Sequence, residues 1–397
     1  MVSNGGIYNR LVFLILFIVY YFQANVAQML GLQNKILNYL MLLLSLIPIF
    51  CFHLSYRKYK EEYIILLTSI GFLIFRYVMG MFEETIQTLM NLLFPALFFL
   101  IINASVLNDI KIQKKIEKFV TTFFIVNSLI AILEFITKVH FIGWHETAYA
   151  DGMQVVYDSK EFRSVALAGG PLSNAEITTL FNLFVLFSPM PNKKKYSLYF
   201  LGLLAIMCFN SRVAILINIL GYILFLLKCF KSYSIKTNLN LFFIFIIGGI
   251  IVFYLLNNTN MGSRLINTTS EDGSIAVRLR LFEGIGQLNL YDFLWGSTLS
   301  NVRLLMEEME ILVIENFWIC YILHFGIVPL IIFTYLYYLL IRKVMKSYSI
   351  YEKIVISICF IVLSSSNNSL YSSYVSLFTF LLLAYIFSFH YLSNLKR

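Results

Sequence analysis

Charge is the scarcest property of this chain. Only 13% of its 397 residues are charged, against about 25% in a soluble domain, while 59% are hydrophobic. A chain of this composition cannot cover its own apolar surface in water. Cysteine is equally sparse. Cys51, Cys208, Cys229, Cys320 and Cys359 all lie in or beside apolar segments, and none belongs to a CxxC pair, so neither a disulfide framework nor zinc spacing is visible. The five histidines form no HxxxH pair, so no metal or other cofactor is expected. No GxxxxGK[ST] pattern occurs, which removes the commonest phosphate-binding loop of nucleotide hydrolases. No A-x-A site follows Arg10 and the apolar run Leu11–Phe22, so an uncleaved first span is expected rather than a removed signal peptide. No internal repeat is evident, which disfavours a transporter built from duplicated halves.

What the sequence holds instead is a series of long apolar runs. A helix needs about 20 mostly apolar residues to cross a bilayer. Twelve such segments are expected, near 11–30, 36–55, 63–80, 86–107, 119–137, 173–189, 196–209, 213–230, 239–256, 316–340, 351–366 and 371–391. The pair 196–209 and 213–230, separated only by Asn210, Ser211 and Arg212, also reads as one long broken helix. The expected fold is an all-α integral membrane protein, a single polytopic bundle over residues 1–397. The formal charge of +9 sits in short loops, which is the positive-inside pattern and not a nucleic-acid footprint. Of the 30 Lys and Arg, 20 fall in one alternate set of loops and 10 in the other. The richer set is expected in the cytosol, with both termini, and the even alternation favours an even number of spans.

This sidedness leaves two long segments outside, 138–172 and 257–315, where functional loops concentrate on a rigid scaffold. In the first, Arg163 precedes Gly169, Gly170 and Pro171, a turn signal. Ser173 or Asn174 can cap the next helix, with Glu176 three residues after Ser173 as in a capping box. The segment reads either as a loop closing into a capped span or as glycines that let backbone approach a ligand. In the second, Ser274–Asn289 reads as a helix with Val277, Leu281, Ile285 and Leu288 on one stripe. It carries Arg278 and Arg280. Tyr291–Gly296 is a short apolar motif ending in Trp295-Gly296, and Asn301–Ile314 reads as an amphipathic interfacial helix. Glu315-Asn316 opens the tenth span.

Arg76, Glu134, Glu176, Arg212 and His324 stand at membrane depth, where ionisable groups usually face a bundle interior or a wet cavity. Arg76 and Arg212 lie near outer ends, where snorkelling to headgroups is the plain alternative. Arg76, Arg163, Arg212, Arg278 and Arg280 nevertheless all fall on the side that the charge rule depletes. A guanidinium suits bidentate phosphate contact and stays charged, so the cluster implies an anionic ligand met from outside.

The architecture resembles that of the O-antigen polymerases of the Wzy type, within the wider polymerase and ligase group, over most of the chain. The local motifs are Arg163, Gly169, Pro171 and Ala175 in the first outer segment, and Arg278 or Arg280 with Trp295-Gly296 in the second. Where many members have His-Asn, this chain has Glu315-Asn316. The arginine and glycine separated by ten residues, found in some polymerases, do not occur at Arg163, Arg278 or Arg280.

The resemblance implies a polysaccharide polymerase on the outer face of the bacterial cytoplasmic membrane. It would join oligosaccharide repeats carried on undecaprenyl pyrophosphate. A donor and an acceptor of that kind are its implied partners, with membrane lipid, a chain-length regulator and a flippase. Arg278 and Arg163 are the expected charge-stabilising catalytic residues and Glu315 is the first candidate base, with Asp292 and Glu176 next. Arg280, Arg212, Arg76, Gly169, Gly170 and Trp295 are expected to bind pyrophosphate or substrate. Trp144, Trp295 and Trp318 read either as sugar-stacking or as interfacial-belt residues. A flippase for the same lipid-linked repeat and an O-antigen ligase remain alternatives.

Overall fold

The computed structural model describes residues 4–22, 59–105, 110–142, 162–168, 170–232, 273–311 and 314–394, with scattered positions in 40–46 and 239–259. The expected span 36–55 therefore lies mostly outside the described residues and 239–256 partly so, while Trp144, Gly169 and most of the first outer segment also fall outside them. Among the described residues every regular element is helical. The first seven helices are α1 (Asn4–Tyr21), α2 (Lys60–Val78), α3 (Phe82–Ser105), α4 (Ile110–Thr137), α5 (Pro171–Phe187), α6 (Asn192–Phe209) and α7 (Arg212–Ser232). After them come α8 (Gly273–Gly286), α9 (Leu290–Trp295), α10 (Leu299–Glu308), α11 (Phe317–Phe325), α12 (Ile327–Val344), α13 (Ile350–Ser365), α14 (Ser369–Ser372) and α15 (Tyr374–Asn394).

Among the described residues three helices are long and apolar enough to cross a membrane: Lys111–Thr137, Arg212–Phe230 and Ile327–Val344. Shorter apolar stretches cover Asn9–Tyr21, Leu89–Leu100 and Tyr374–Ser388. What faces outward agrees with a lipid solvent. On α7, Leu216, Leu220, Ile223 and Leu227 form an exposed stripe, and on α13 Ile350, Ile354, Ile358 and Ile361 form another. In water such stripes are association surfaces; in a bilayer they are the solvated face.

Polar groups turn inward. Helix α5 is buried almost throughout and packs on α6, α7, α13 and α15. Phe181 stacks on Phe124 at 4.3 Å, and Phe360 on Phe380 at 4.3 Å. At its middle, Asn182 Nδ2 donates to Asn218 Oδ1 at 2.9 Å, and Asn218 Nδ2 donates to Thr179 Oγ1 at 2.8 Å. Gly202 is what admits Asn182, because a Cβ there would lie 2.2 Å from Asn182 Oδ1.

Helices α6 and α7 are two helices and not one broken one. Asn210 caps α6 in the left-handed region at φ 54°, a conformation that asparagine tolerates better than most residues. The chain then doubles back: Tyr199 Oη donates to the Asn218 carbonyl at 2.9 Å, and the Tyr199 and Tyr222 rings lie 5.2 Å apart. The tenth expected span is instead interrupted. Gly326, at φ 83°, ends α11 and begins α12.

The expected amphipathic helix 301–314 is the shorter α10, and it packs on protein. Val302 and Met309 are buried with Leu281 of α8 and with Ile319 and Leu323 of α11. Gly284 of α8 lies against Met309 and Leu305.

Ion pairs join particular helix ends. Lys343 at the end of α12 reaches both carboxylate oxygens of Glu62 at 2.6 Å, at the start of α2. Lys228 near the end of α7 bonds Glu352 at the start of α13. Lys194 at the start of α6 lies 3.9 Å from Glu117 at the start of α4. Each of these lysines belongs to the more basic set of loops. The bundle thus has a lysine-rich end, and the arginines in question lie away from it. Arg76 is 16 residues along α2 from Lys60, about 24 Å at 1.5 Å per residue.

Candidate functional site

The segment 163–168 enters the bundle as non-helical, buried backbone. Irregular backbone inside an apolar fold needs partners for its N–H and C=O groups, and this one finds them. Glu134, fully buried on α4, accepts from Val165 N at 2.8 Å and Ala166 N at 2.9 Å through Oε2, and from Phe141 N at 3.1 Å through Oε1. Asn127 Oδ1 accepts from Leu167 N at 3.0 Å, and Asn174 Oδ1 from Ala168 N at 3.2 Å. Ser164 N donates to the Cys208 carbonyl at 3.1 Å and its hydroxyl to Ala131 O at 2.6 Å. The segment is held by α4, α5 and α6 together.

Arg163 is the charged residue carried in by this segment, and it is 7% exposed. Its Nε donates to the Phe209 carbonyl at 3.1 Å, the last residue of α6, where the helix dipole places partial negative charge. Arg212 begins α7 three residues further on, and is half-buried. A cation in a first helical turn opposes the dipole, so helix stability does not explain it. Arg163 and Arg212 thus bracket one turn. Beside them, Lys138 lies 3.5 Å from the Phe135 ring centroid and 5.1 Å from that of Phe162, and burial lowers its ammonium pKa. His140 stacks on Phe162 at 4.7 Å, with Nδ1 3.9 Å from Glu134 Oε2.

Helix α5 starts differently from expectation. Its N-cap is Gly170 with Pro171 at the first helical position, while Asn174 Nδ2 donates to the Gly170 carbonyl at 3.0 Å and to that of Val165. Glu176 makes no capping box. It turns into the bundle at 1% exposure, where Ser364 Oγ donates to Oε1 at 3.0 Å, Ser376 Oγ donates to the same oxygen, and Asn367 Nδ2 donates to Oε2 at 3.1 Å. One carboxylate thereby ties α5 to α13 and α15. The Asn367 carbonyl in turn accepts from Phe317 N at 3.1 Å, and Asn316 caps α11 through Trp318 N at 3.0 Å and Ile319 N at 3.2 Å. Glu315, half-buried, directly precedes this cap.

A second grouping surrounds Arg76. It is 1% exposed in the last turn of α2, its Nη1 donates to the Trp295 carbonyl at 3.3 Å, and its guanidinium carbon lies 5.2 Å from the Phe325 ring centroid. Phe75 and Trp295 stand 5.3 Å apart. Trp295-Gly296 meets the α11–α12 break backbone to backbone: Ser297 N donates to the Leu323 carbonyl at 2.9 Å, and Gly296 adopts φ 86°. His324 stacks on Tyr371 at 5.1 Å, and the Asn91 side chain donates to the Tyr371 carbonyl. Tyr371 lies four residues beyond Asn367, so this grouping adjoins the Glu176 network.

The expected site residues therefore separate. Arg163 comes together with the turn bearing Arg212, Arg76 with Trp295, and Glu315 with the polar segment that binds Glu176. Arg280 is exposed, with Nη1 3.6 Å from the exposed Glu310, a surface pair of small energetic weight. Arg278 lies in α8 by its backbone, while its side chain and Gly169 fall outside the described residues. Trp318 donates to Ser365 Oγ at 2.7 Å within the bundle. Among the described residues no three His, Cys, Asp or Glu side chains converge as a metal-binding group.

The residues absent from the sequence expectation are Ser364, Asn367, Tyr371 and Ser376. The signal for the first three is the run Ser364–Ser373, ten residues with eight serines and asparagines, inside the otherwise apolar C-terminal region; Ser376 lies just beyond it. Asn127 also escaped that expectation, and Asn174, expected only as a helix cap, instead binds the backbone of Val165 and Ala168. No protein-family model matches this chain, and no curated protein matches it.

Proposed function

We propose that this protein is a polysaccharide polymerase that joins lipid-pyrophosphate-linked oligosaccharide repeats at the outer end of a bundle of about twelve membrane spans. The observation that carries the reading is the burial of two guanidinium groups, Arg163 and Arg76, away from the lysine-rich end. Arginine is costly at membrane depth and is retained there for anionic ligands or ion paths. In this reading the lysine-rich end faces the cytosol, the chain lies in the bacterial cytoplasmic membrane with both termini inside, and the arginines meet substrate from outside.

An acceptor hydroxyl attacks the anomeric carbon of the donor chain. The new C–O bond forms as the bond to the lipid pyrophosphate breaks, and the leaving group keeps that electron pair. Arginines bind the pyrophosphate and stabilise the charge it gains. Arg163 and Arg212 bracket one turn and suit this role, while Arg76, grouped with Trp295, and Arg278 and Arg280 on α8 meet the substrate from outside that turn. Glu315, next to the Asn316 cap, takes the hydroxyl proton. A chain-length regulator and a flippase that delivers repeats would act alongside.

Gly170 offers a test that separates ligand approach from folding. Its backbone is extended at φ −175°, which any residue adopts, and a Cβ there meets nothing within 4 Å. Gly170→Ala is expected to leave thermal stability unchanged while lowering polymer yield, because the methyl occupies space reserved for substrate. Unchanged yield with unchanged stability removes Gly170 from the site. The reading as a whole is tested by deleting the gene and examining surface glycan. Loss of long chains with single repeats still exported supports it. Repeats trapped on the cytosolic leaflet indicate a flippase instead.

A further inference from the structure

The lysine-rich end carries a groove, outside the site described above, between α1 and α4. Its volume is about 630 Å³, and Arg10 and Lys115 stand in its wall with Asn9, Phe13, Leu14, Phe17 and Phe119. Arg10, Phe13, Leu14 and Phe17 follow one another at positions i, i+3, i+4 and i+7 of α1, so they share one face. Lys115 and Phe119 sit at i and i+4 of α4. Both helices begin at this end, so the two cations lie at corresponding heights and the rings lie deeper along both walls. From Arg10 to Phe17 the helix rises about 10 Å, the depth of the upper part of an acyl chain.

The walls hold together below the cations. The Phe13 and Phe119 rings meet edge to face at 6.1 Å, while Leu14 and Phe17 are 47% and 42% exposed. At the head of the groove Asn9 Oδ1 is enclosed with no hydrogen-bond partner among the described residues. It is an acceptor that a donor hydroxyl would satisfy.

We propose that this groove binds an anionic glycerophospholipid of the leaflet at the lysine-rich end. Its phosphate lies between Arg10 and Lys115, its glycerol headgroup hydroxyls are within reach of Asn9, and one acyl chain lies along Leu14, Phe17 and Phe119. Charge complementarity selects the headgroup: two cations beside an apolar trough favour a net negative lipid over a zwitterionic one. The occupant does not depend on the reaction proposed above.

Native mass spectrometry of the delipidated, full-length protein tests this, with dioleoyl phosphatidylglycerol and dioleoyl phosphatidylcholine as competing probes. The wild type is expected to retain phosphatidylglycerol about tenfold more strongly or better, as two cations near a lipid phosphate imply. Arg10→Gln with Lys115→Gln should abolish most of that preference. Lys346→Gln with Lys353→Gln, which removes equal charge at the same end of the bundle, should retain it. Equal binding of the two lipids by the wild type overturns the proposal, as does the same loss of preference in both double variants. Since Arg10 and Lys115 are exposed, both double variants are expected to elute as folded protein on size exclusion; a double Arg10 and Lys115 variant that aggregates makes these residues structural and also overturns it.

Discussion

Replacing Gly326 by alanine is expected to abolish recovery of folded protein from detergent. The position has φ 83° and ψ 171°, a region essentially reserved for glycine that costs another residue about 1–3 kcal/mol. A Cβ there would also lie 2.3 Å from the Leu294 carbonyl oxygen and 2.4 Å from Trp295 N. Both contacts are backbone, so no side chain can rotate away. The opposing Gly296 is held in the same way, since a Cβ there would lie 2.3 Å from the His324 carbonyl oxygen. Helix α9 and the α11–α12 break therefore approach as bare backbone, and Arg76 closes the contact from α2. The combined penalty is about 3–5 kcal/mol, the range of the most damaging single substitutions. Fluorescence-detected size exclusion checks it. A monodisperse Gly326→Ala protein with wild-type melting would show that this close approach is not needed for the fold.

Glu176→Leu is expected to have the second largest effect. The leucine leaves Ser364, Ser376 and Asn367 without their acceptor, and each buried donor so stranded costs about 1–3 kcal/mol. Glu176→Gln keeps the shape and one carbonyl acceptor, so a smaller loss is expected. The decisive measurement is a comparison of melting temperatures. Adding Ser364→Ala and Ser376→Ala to Glu176→Leu should recover part of the loss, because the stranded hydroxyls are then gone. If the triple variant melts no higher than Glu176→Leu, the carboxylate acts through something other than these bonds.

These two sites also show what the sequence could and could not convey. Long apolar runs marked where α2 to α7 lie, since a 3.6-residue period and length are local properties. Asn210 and Arg212 between two apolar runs left a choice between a hairpin and a broken helix. The Tyr199–Asn218 bond that decides it joins residues on different helices. The break at Gly326 was not legible, because a glycine inside an apolar run is tolerated in membrane helices. Only the approach of Leu294 and Trp295 requires it. Glu176 three residues after Ser173 matched a local capping pattern, but its partners are more than 180 residues away in the chain. The same limit applied to Glu134, whose role depends on receiving the N–H groups of Val165 and Ala166. For the arginines, sequence told which loops carry them. It did not tell that Arg163 lies on the Phe209 carbonyl while Arg280 faces Glu310 on the surface.

The central claim is that buried guanidinium at the end of the bundle away from the paired lysines handles a lipid pyrophosphate during chain growth. The most direct test is to supply lipid-linked repeats to purified wild-type protein and to Arg163→Lys in vesicles, and to resolve the products by length. Arg163→Lys keeps a cation but loses the planar fork that grips phosphate in two places. The expected result is a ladder of lengthened chains with released lipid pyrophosphate from the wild type, and single repeats from a variant of similar melting temperature. Identical ladders from both proteins, or wild-type protein that carries repeats across the bilayer without lengthening them, would contradict it.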